Sequence, residues 1–161
     1  MNAFHVRSAT SSDAEMLSHI AARTFSDTFG HLYPQQDLET YLAKAYAVDK
    51  MQEQIDDSDM YTVFIFSNKE AETPCGFSML WDGSIRPGDD DRDTRNHLEF
   101  KRFYIMKEYH GTGAAGVLMK HVMQVIRQKQ RQVVWLIVWE NNLRAHNFYK
   151  KYGFQETGEH F

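Results

Sequence analysis

The sequence is poor in the residues that build disulfide-bonded, metal-clustered or low-complexity proteins. Cys75 is the only cysteine among 161 residues, which excludes a disulfide framework and a thiolate metal site. With three prolines, nine glycines and no internal repeat, no linker divides the chain. The eight histidines show no metal-ligand spacing. We therefore expect a single domain over residues 1–161 and no bound metal.

The sequence also lacks a long hydrophobic run and an excess of positive charge. No window approaches the roughly 18–20 apolar residues that span a bilayer, and the first residues show no signal-peptide pattern. Eighteen basic and 22 acidic side chains give a net charge of −4, whereas a general nucleic-acid binder is more often basic. We therefore expect a cytoplasmic protein that binds neither a membrane nor nucleic acid.

The hydrophobic pattern predicts a mixed α/β domain in the order β-α-α-β-β-β-α-β-α-β, with a shorter third helix after the second. A polar loop over residues 83–96 is interpreted as solvated, and the alternative is an acidic rim that attracts a cationic substrate. Residues 10–13 are predicted to cap the first helix. Further helices are predicted over residues 38–45, 49–55 and 114–129, and the last helix is predicted to run from a cap at Asn141 or Asn142 to residue 152. The strands are predicted at residues 4–9, 61–66, 76–81, 98–106, 133–139 and 154–157.

The most informative stretch is residues 99–116, EFKRFYIMKEYHGTGAAG, in which an apolar strand runs through a glycine turn into a helix. Backbone N–H groups at such a helix start bind phosphate or pyrophosphate. The glycines match G-x-G-x-x-G, but residues 107–110 separate them from the strand, and only 21 residues follow Glu140. Both features disfavour a dinucleotide fold. No Lys-Ser or Lys-Thr follows the glycines, which excludes a nucleoside-triphosphate loop.

Two motifs at a fixed separation resemble the GNAT superfamily of N-acetyltransferases. Residues 110–115 (HGTGAA) are similar to its [Gln/Arg]-x-x-Gly-x-[Gly/Ala] turn, with histidine at the first position. Residues 139–154, with Asn142, Ala145, Phe148, Tyr149, Lys151 and Gly153-Phe154, resemble its V-x-x-x-N-x-x-A-x-x-F-Y-x-K-x-G-F segment. Further stretches are similar to bacterial polyamine (spermidine/spermine) N-acetyltransferases: residues 23–29, 41–42, 62–66, 98–99, Arg102 and 135–140.

The resemblance implies a GNAT acetyltransferase fold, with a central, mostly antiparallel sheet, a splayed parallel β4/β5 pair and flanking helices. It implies acetyl-CoA as co-substrate and a small primary amine as acceptor, a polyamine by subfamily, attacked directly in a ternary complex. The alternatives are a protein (lysine or N-terminal) acetyltransferase, an enzyme for another small amine, and a non-catalytic CoA-binding regulatory module. The last strand of the family sheet is expected to be missing, so we also expect marginal stability or association as a homodimer.

The resemblance assigns acetyl-CoA contacts to three groups of residues. Phe103, Tyr104 and Ile105 would pair with the pantetheine arm through their main chain. The pyrophosphate would lie at the glycine turn, and the last group would cap the final helix and lie beside the arm or the nucleotide. The turn residues are His110, Gly111, Thr112, Gly113, Ala114 and Ala115; the last group is Asn142, Phe148 and Lys151.

Two residues are the catalytic candidates. Tyr149 matches the family tyrosine that faces the thioester sulfur, and a phenol of pKa about 10 can protonate a thiolate of similar basicity. Glu99 matches the strand carboxylate that acts as general base, often through water, in several members of the family. The alternatives are a core tyrosine and a surface charge paired with Lys101 or Arg102. Glu140 is the reserve base, with a structural role in the Asn-rich turn as its alternative.

Overall fold

The structure is a computed structural model that describes residues 3–158 except Asp91 and Asp93. It confirms the mixed α/β architecture. The elements are β1 (Phe4–Ser8), α1 (Ala14–Phe29), α2 (Gln35–Ala45), α3 (Val48–Asp56), β2 (Met60–Ser67), β3 (Glu70–Asp82), β4 (His97–Ile105), α4 (Ala114–Lys129), β5 (Val133–Trp135) and α5 (Leu143–Lys151).

The five strands form one sheet in the order β1-β2-β3-β4-β5. The first four strands are antiparallel to their neighbours, and β5 runs parallel to β4. A parallel pair needs a crossover between its strands, and α4 provides it here. The predicted fold, a mostly antiparallel sheet with a parallel β4/β5 pair and flanking helices, is thus confirmed.

The sheet separates two hydrophobic clusters, because successive side chains of a strand point to opposite faces. In β2, Val63 and Ile65 pack with α4, whereas Phe64 and Phe66 pack with α1 and α3. All four side chains are almost completely buried. The α1–α3 face and the α4–α5 face of the sheet are therefore both covered.

Local sequence signals explain where three helices begin. Asp13 accepts a hydrogen bond from the Thr10 backbone N–H (2.8 Å), within the predicted capping box before α1. Gly113 adopts a left-handed conformation (φ 92°) directly before α4. Asn142 caps α5 through Oδ1, which accepts from the Ala145 N–H at 3.2 Å. The prediction left Asn141 and Asn142 open as caps, and the structure selects Asn142.

A β-bulge in β4 determines which residues share a face. Met79 of β3 pairs with Arg102, and the next residue, Leu80, pairs with Phe100, so Lys101 is the extra residue. Leu98 and Phe100 belong to the α4–α5 cluster, which puts Glu99 on the α1–α3 face. Beyond the bulge the alternation is shifted by one residue.

Three strand predictions need correction. Only residues 133–135 of the apolar run 133–139 pair with β4, and the predicted strand 154–157 is not a strand. Phe154 instead packs its ring against Phe100 and Tyr149. β3 is longer than predicted, because residues 70–74 extend it across a bulge rather than forming a turn.

Membrane-spanning helices and metal-binding clusters are both absent from the described ranges. None of the helices in residues 3–158, the two gaps aside, is long and apolar enough to cross a membrane. In the same ranges, no group of three or more His, Cys, Asp or Glu side chains is arranged to hold a metal ion.

Candidate active site

The sheet opens where β5 leaves β4. Trp135, the last residue of β5, pairs with Glu99, whereas β4 continues to Ile105. A cleft lies between the two diverging segments, and α5 borders it. It is lined by residues 100–104 of β4, residues 137–139, Phe29, Asn142, Ala145 and Tyr149.

The main chain of β4 presents alternate residues to this cleft. The Met106 N–H donates to Cys75 O at 2.8 Å, and Ser78 Oγ donates to Arg102 O at 2.8 Å, so residues 102, 104 and 106 direct their main chain towards β3. By the same alternation, Phe103 and Ile105 direct theirs towards the cleft. Tyr104, the third predicted contact, offers the cleft its ring rather than its main chain.

The glycine turn has the geometry that its sequence predicts. Gly111 and Gly113 have φ angles of 77° and 92°, and a Cβ at either position would meet nothing within 4 Å. Glycine is therefore required here by backbone conformation rather than by space. Thr112 Oγ1 donates to Tyr109 O and accepts from the Ala114 N–H at 3.4 Å.

The start of α4 leaves backbone donors available at this turn. The Val117 N–H donates to Gly113 O, the first bond of the helix. The N–H groups of Ala115 and Gly116 precede it and have no acceptor within the helix. His110, at the position where the motif has Gln or Arg, is exposed, and its Nε2 lies 2.9 Å from Ile105 O.

Tyr149 of α5 stands at the cleft within a cage of aromatic rings. Phe100, Phe148 and Phe154 all meet its ring edge-on, with centroids 5.6–5.8 Å away. Burial raises the pKa of the Tyr149 phenol, and the Tyr104 hydroxyl adds to the shift. The phenol therefore stays protonated, and able to donate a hydrogen bond, throughout the neutral range.

The other predicted α5 residues have different surroundings. Asn142 lines the cleft and also caps α5. Phe148 packs between Phe103 (5.3 Å) and Tyr152 (5.1 Å) in the α4–α5 cluster. Lys151 is exposed, and its ammonium lies over the Tyr152 ring at 5.8 Å.

Glu99 lies one residue before the cleft begins. It is half-buried on the α1–α3 face and accepts a hydrogen bond from Ser84 Oγ at 2.8 Å. Ser84 belongs to the loop predicted to be solvated, but its carbonyl also accepts from Trp135 Nε1 at 2.8 Å. This part of the loop therefore covers the end of the β4/β5 pair. Tyr149 lines the opening on the α4–α5 face, whereas Glu99 lies just before it on the α1–α3 face.

A larger cleft of about 1140 Å³ follows the other edge of β5. Glu140, the reserve base, lines it, and so do residues 152–158. Tyr149 borders both clefts. Cys75 is far less accessible: it is buried in β3, its Sγ donates to Ile65 O at 3.4 Å, and burial raises the pKa of its thiol to about 11.

Phe29, Trp139 and Ala145 are among the cleft residues to which sequence reasoning assigned no role. Phe29, at the end of α1, meets Trp139 edge-on at 5.8 Å, and Ala145 faces them from α5. All three fall in stretches that resemble the family motifs. Their place in these motifs was the available signal, but aromatic and small side chains of this kind are equally typical of an ordinary hydrophobic core.

Comparisons with known proteins agree with this arrangement. The model of the acetyltransferase (GNAT) family matches residues 16–154. An N-acetyltransferase of Mycobacterium bovis is 30% identical over 146 residues, which are 91% of this chain and 85% of that protein. The spermine/spermidine N(1)-acetyltransferase of Bacillus subtilis is 28% identical over 85 residues, 52% of this chain and 54% of that protein.

The fold is shared with a solved structure that contains coenzyme A. The PaiA N-acetyltransferase of Thermoplasma acidophilum, in complex with coenzyme A, superimposes with a TM-score of 0.77 at 23% identity. The superposition covers 96% of this chain and 91% of that one. With the family match over residues 16–154, the splayed β4/β5 pair and the glycine turn, this chain belongs to the GNAT family and is an acetyl-CoA-dependent N-acetyltransferase.

Proposed function

We propose that this enzyme acetylates a small primary amine by direct attack of the amine on acetyl-CoA in a ternary complex. The observation that carries the proposal is the opening of the β4/β5 pair after Trp135, with Tyr149 beside it. One opening that admits a thioester from one side and an amine from the other favours direct transfer. We further propose a single-domain cytoplasmic enzyme.

We propose that the donor is held mainly by main-chain groups. Phe103 and Ile105 would pair with the pantetheine arm, and the N–H groups of the turn formed by residues 110–115 would bind the pyrophosphate. Asn142 and Phe148 would contact the arm, and Lys151 would lie near the nucleotide. The available N–H groups of the turn and the main chain of Phe103 fit such a ligand, whereas the Ile105 carbonyl already lies 2.9 Å from His110 Nε2. Tyr104 fits as a ring contact only.

We propose that Glu99 and Tyr149 divide the proton transfers. Glu99, on the α1–α3 face, would take the ammonium proton of the acceptor, directly or through water, and Glu140 is the reserve base. The nitrogen–carbon bond forms as the carbon–sulfur bond breaks, the attacking nitrogen releases its second proton to water, and Tyr149 donates its hydroxyl proton or a hydrogen bond to the departing thiolate. Because burial raises the pKa of Tyr149, the hydrogen-bonding role is favoured over full proton transfer.

Two classes of acceptor have support. A polyamine is supported by the similarity to the B. subtilis spermine/spermidine enzyme, which covers half of this chain. An amine that also carries an anionic group is supported by the half-buried Arg102, which lines the cleft on the α1–α3 face. A protein lysine or N-terminus is the remaining alternative within acetyl transfer.

A binding measurement and an activity panel together test the proposal. Calorimetry should detect acetyl-CoA binding at tens of micromolar or tighter, and its absence would overturn the proposed donor site. Free-thiol release should then be measured with polyamines, amino acids, amino sugars and peptides. Turnover of peptides alone would replace the small-amine proposal. Binding without turnover on any acceptor would favour a regulatory CoA-binding module.

A further inference from the structure

Arg102 is a half-buried cation that lines the cleft on the α1–α3 face and has no acidic partner among the residues that the structure describes. Its Nη1 lies 3.3 Å from Gln54 Oε1 and 3.5 Å from Met79 Sδ, and its guanidinium lies over the Tyr46 ring at 5.1 Å. No carboxylate of the described residues forms an ion pair with it. A charge in such a position is usually paired, because removing it from water without a partner is costly.

Tyr46, Tyr104 and Tyr41 lie near this guanidinium, and their hydroxyls would add to its capacity to bind an anion. The positive charge of Arg102 acts on the phenols of both Tyr46 and Tyr104, and Tyr41 interacts with the same two phenols. Burial raises the pKa of Tyr46 and Tyr104, so both remain protonated donors. Tyr41 is 48% exposed and lies at the open side of the group. Arginine and phenol donors together match a carboxylate.

The bulge at Lys101 brings this group to the same face as Glu99. Residues three positions apart in a regular strand point to opposite faces, but the extra residue puts Glu99 and Arg102 on the α1–α3 face together. Their partners in β3, Trp81 and Met79, are two residues apart, so at about 3.3 Å per residue the Cα atoms of Glu99 and Arg102 are about 7 Å apart along the strand. A ligand with an amine at one end and an anion at the other, separated by a short chain, spans that distance.

We propose that Arg102, with Tyr41, Tyr46 and Tyr104, forms an anion-binding subsite for a carboxylate of the acceptor substrate. The inference rests on the proposed acetyl transfer and specifies its acceptor as an amine that also carries a carboxylate. The opposite terminus of a polyamine would place an ammonium beside Arg102 and Lys101. The two cations therefore favour an amine that carries a carboxylate over a polyamine, even though Arg102 also contributes to the resemblance to polyamine N-acetyltransferases.

Three amines with the same four-carbon chain test the proposal: butylamine, 4-aminobutanoate and 1,4-diaminobutane, each with homologues of two to six carbons. In the wild-type enzyme, kcat/KM should be at least tenfold higher for the best aminocarboxylate than for the matched alkylamine. Arg102→Gln should remove that advantage and leave the alkylamine within twofold. Arg102→Lys, which retains the charge without the planar fork, should be intermediate.

Lys101→Gln is the matched control, because it removes a neighbouring cation from the same face. It should retain most of the aminocarboxylate preference. If Lys101→Gln and Arg102→Gln reduced the aminocarboxylate preference equally, a general positive potential rather than a subsite would explain it, and the proposal would be overturned. It would also be overturned if a diamine were the best acceptor and Arg102→Gln left it unchanged or improved it.

Acetyl-CoA affinity separates this proposal from the proposed function. It should stay within twofold in every variant, and a large loss in Arg102→Gln would mean that Arg102 contacts the donor instead.

If no amine is acetylated, the subsite is tested by measuring whether 4-aminobutanoate and its homologues bind to the CoA-saturated protein. Binding that Arg102→Gln abolishes supports the subsite, and absence of binding overturns it. Loss of acetyl-CoA binding by the wild-type protein would refute the proposed function itself.

Discussion

Thr62 shows at the level of one residue that the core is not fully optimised. It is 5% exposed in β2, and its hydroxyl has no hydrogen-bond partner among the described residues. A buried unpaired hydroxyl costs about 1–3 kcal/mol. Valine has the same shape, so Thr62→Val should raise the free energy of unfolding in urea by about 1 kcal/mol. Thr24→Val is the control, since the buried Thr24 hydroxyl donates to Ile20 O at 2.8 Å and its loss should bring no gain.

Tyr149 is the residue on which the proposed chemistry depends most directly. Tyr149→Phe keeps the ring within the cage of Phe100, Phe148 and Phe154 and removes only the hydroxyl. We expect kcat to fall about 100-fold, the lower range for a positioned proton donor, with acetyl-CoA affinity within twofold. Tyr152→Phe, at the residue directly after α5, should leave kcat unchanged. An unchanged kcat in Tyr149→Phe would remove the hydroxyl from the mechanism.

The raised pKa of Tyr149 adds a consequence for the pH profile. The phenol does not deprotonate near neutrality, so an alkaline decline of kcat below pH about 10 cannot come from this residue. If Tyr149→Phe abolished such a decline, the proposed hydrogen-bonding role would have to give way to a titrating acid.

At the scale of elements, the junction between the glycine turn and α4 can be tested by a matched pair of glycines. Gly113 and Gly88 have φ angles of 92° and 90°, and a Cβ would meet nothing within 4 Å at either. Alanine should therefore introduce similar backbone strain, about 1–3 kcal/mol, at both. Only Gly113→Ala should weaken acetyl-CoA binding, by about tenfold, because only that turn presents helix N–H groups to the donor. If the two variants bound acetyl-CoA equally well, the glycine turn would not be part of the donor site.

The elements also show where sequence reasoning succeeds. The predicted bounds of α4, residues 114–129, are those observed, because a glycine turn and an amphipathic period are local signals. The β4/β5 opening followed from the family resemblance. The residues assigned to the site came from the same source and remain predictions, although the structure brings most of them to one cleft or to the turn.

The failures have a common physical cause, which is that strand pairing is not local. Residues 136–139 are as apolar as 133–135, but only the latter find a partner in β4. The strand predicted at 154–157 has none in the described part of the chain. The bulge at Lys101 carries no Gly or Pro, so simple alternation would have put Arg102 on the face opposite Glu99. The tyrosines around Arg102 were therefore not recognised as a group.

At the scale of the whole molecule, an ion pair joins the end of β3 to the segment before β5. Asp82 accepts two hydrogen bonds from Arg131 at 2.7 and 2.8 Å, which lowers the pKa of the Asp82 carboxyl. Because the folded pKa is depressed, this stability is present above the unfolded value and is lost as pH falls through the folded one. Asp82→Asn should destabilise the protein by about 1–3 kcal/mol at pH 7 and by much less near pH 3. Urea titrations at both values measure the difference.

The alkaline side of the stability profile depends on groups that the fold keeps neutral. Burial raises the pKa of Cys75 from 9.0 to about 11, and it also raises those of Tyr46 and Tyr149. A group whose folded pKa is raised contributes fully below its unfolded pKa, and the contribution is lost as pH rises through the folded value. Stability should therefore be greatest near neutral pH and fall on both sides.

Cys75→Ala isolates one part of this alkaline loss. The variant should be less stable than the wild type at pH 7, because the substitution leaves a small cavity in β3. Between pH 7 and 10, however, it should lose about 1 kcal/mol less than the wild type, since the alanine has no thiol to ionise. The remaining loss in the variant would come from Tyr46 and Tyr149. Parallel pH profiles of the two proteins would mean that the thiol titrates normally in the fold and that the strand around it opens readily to solvent.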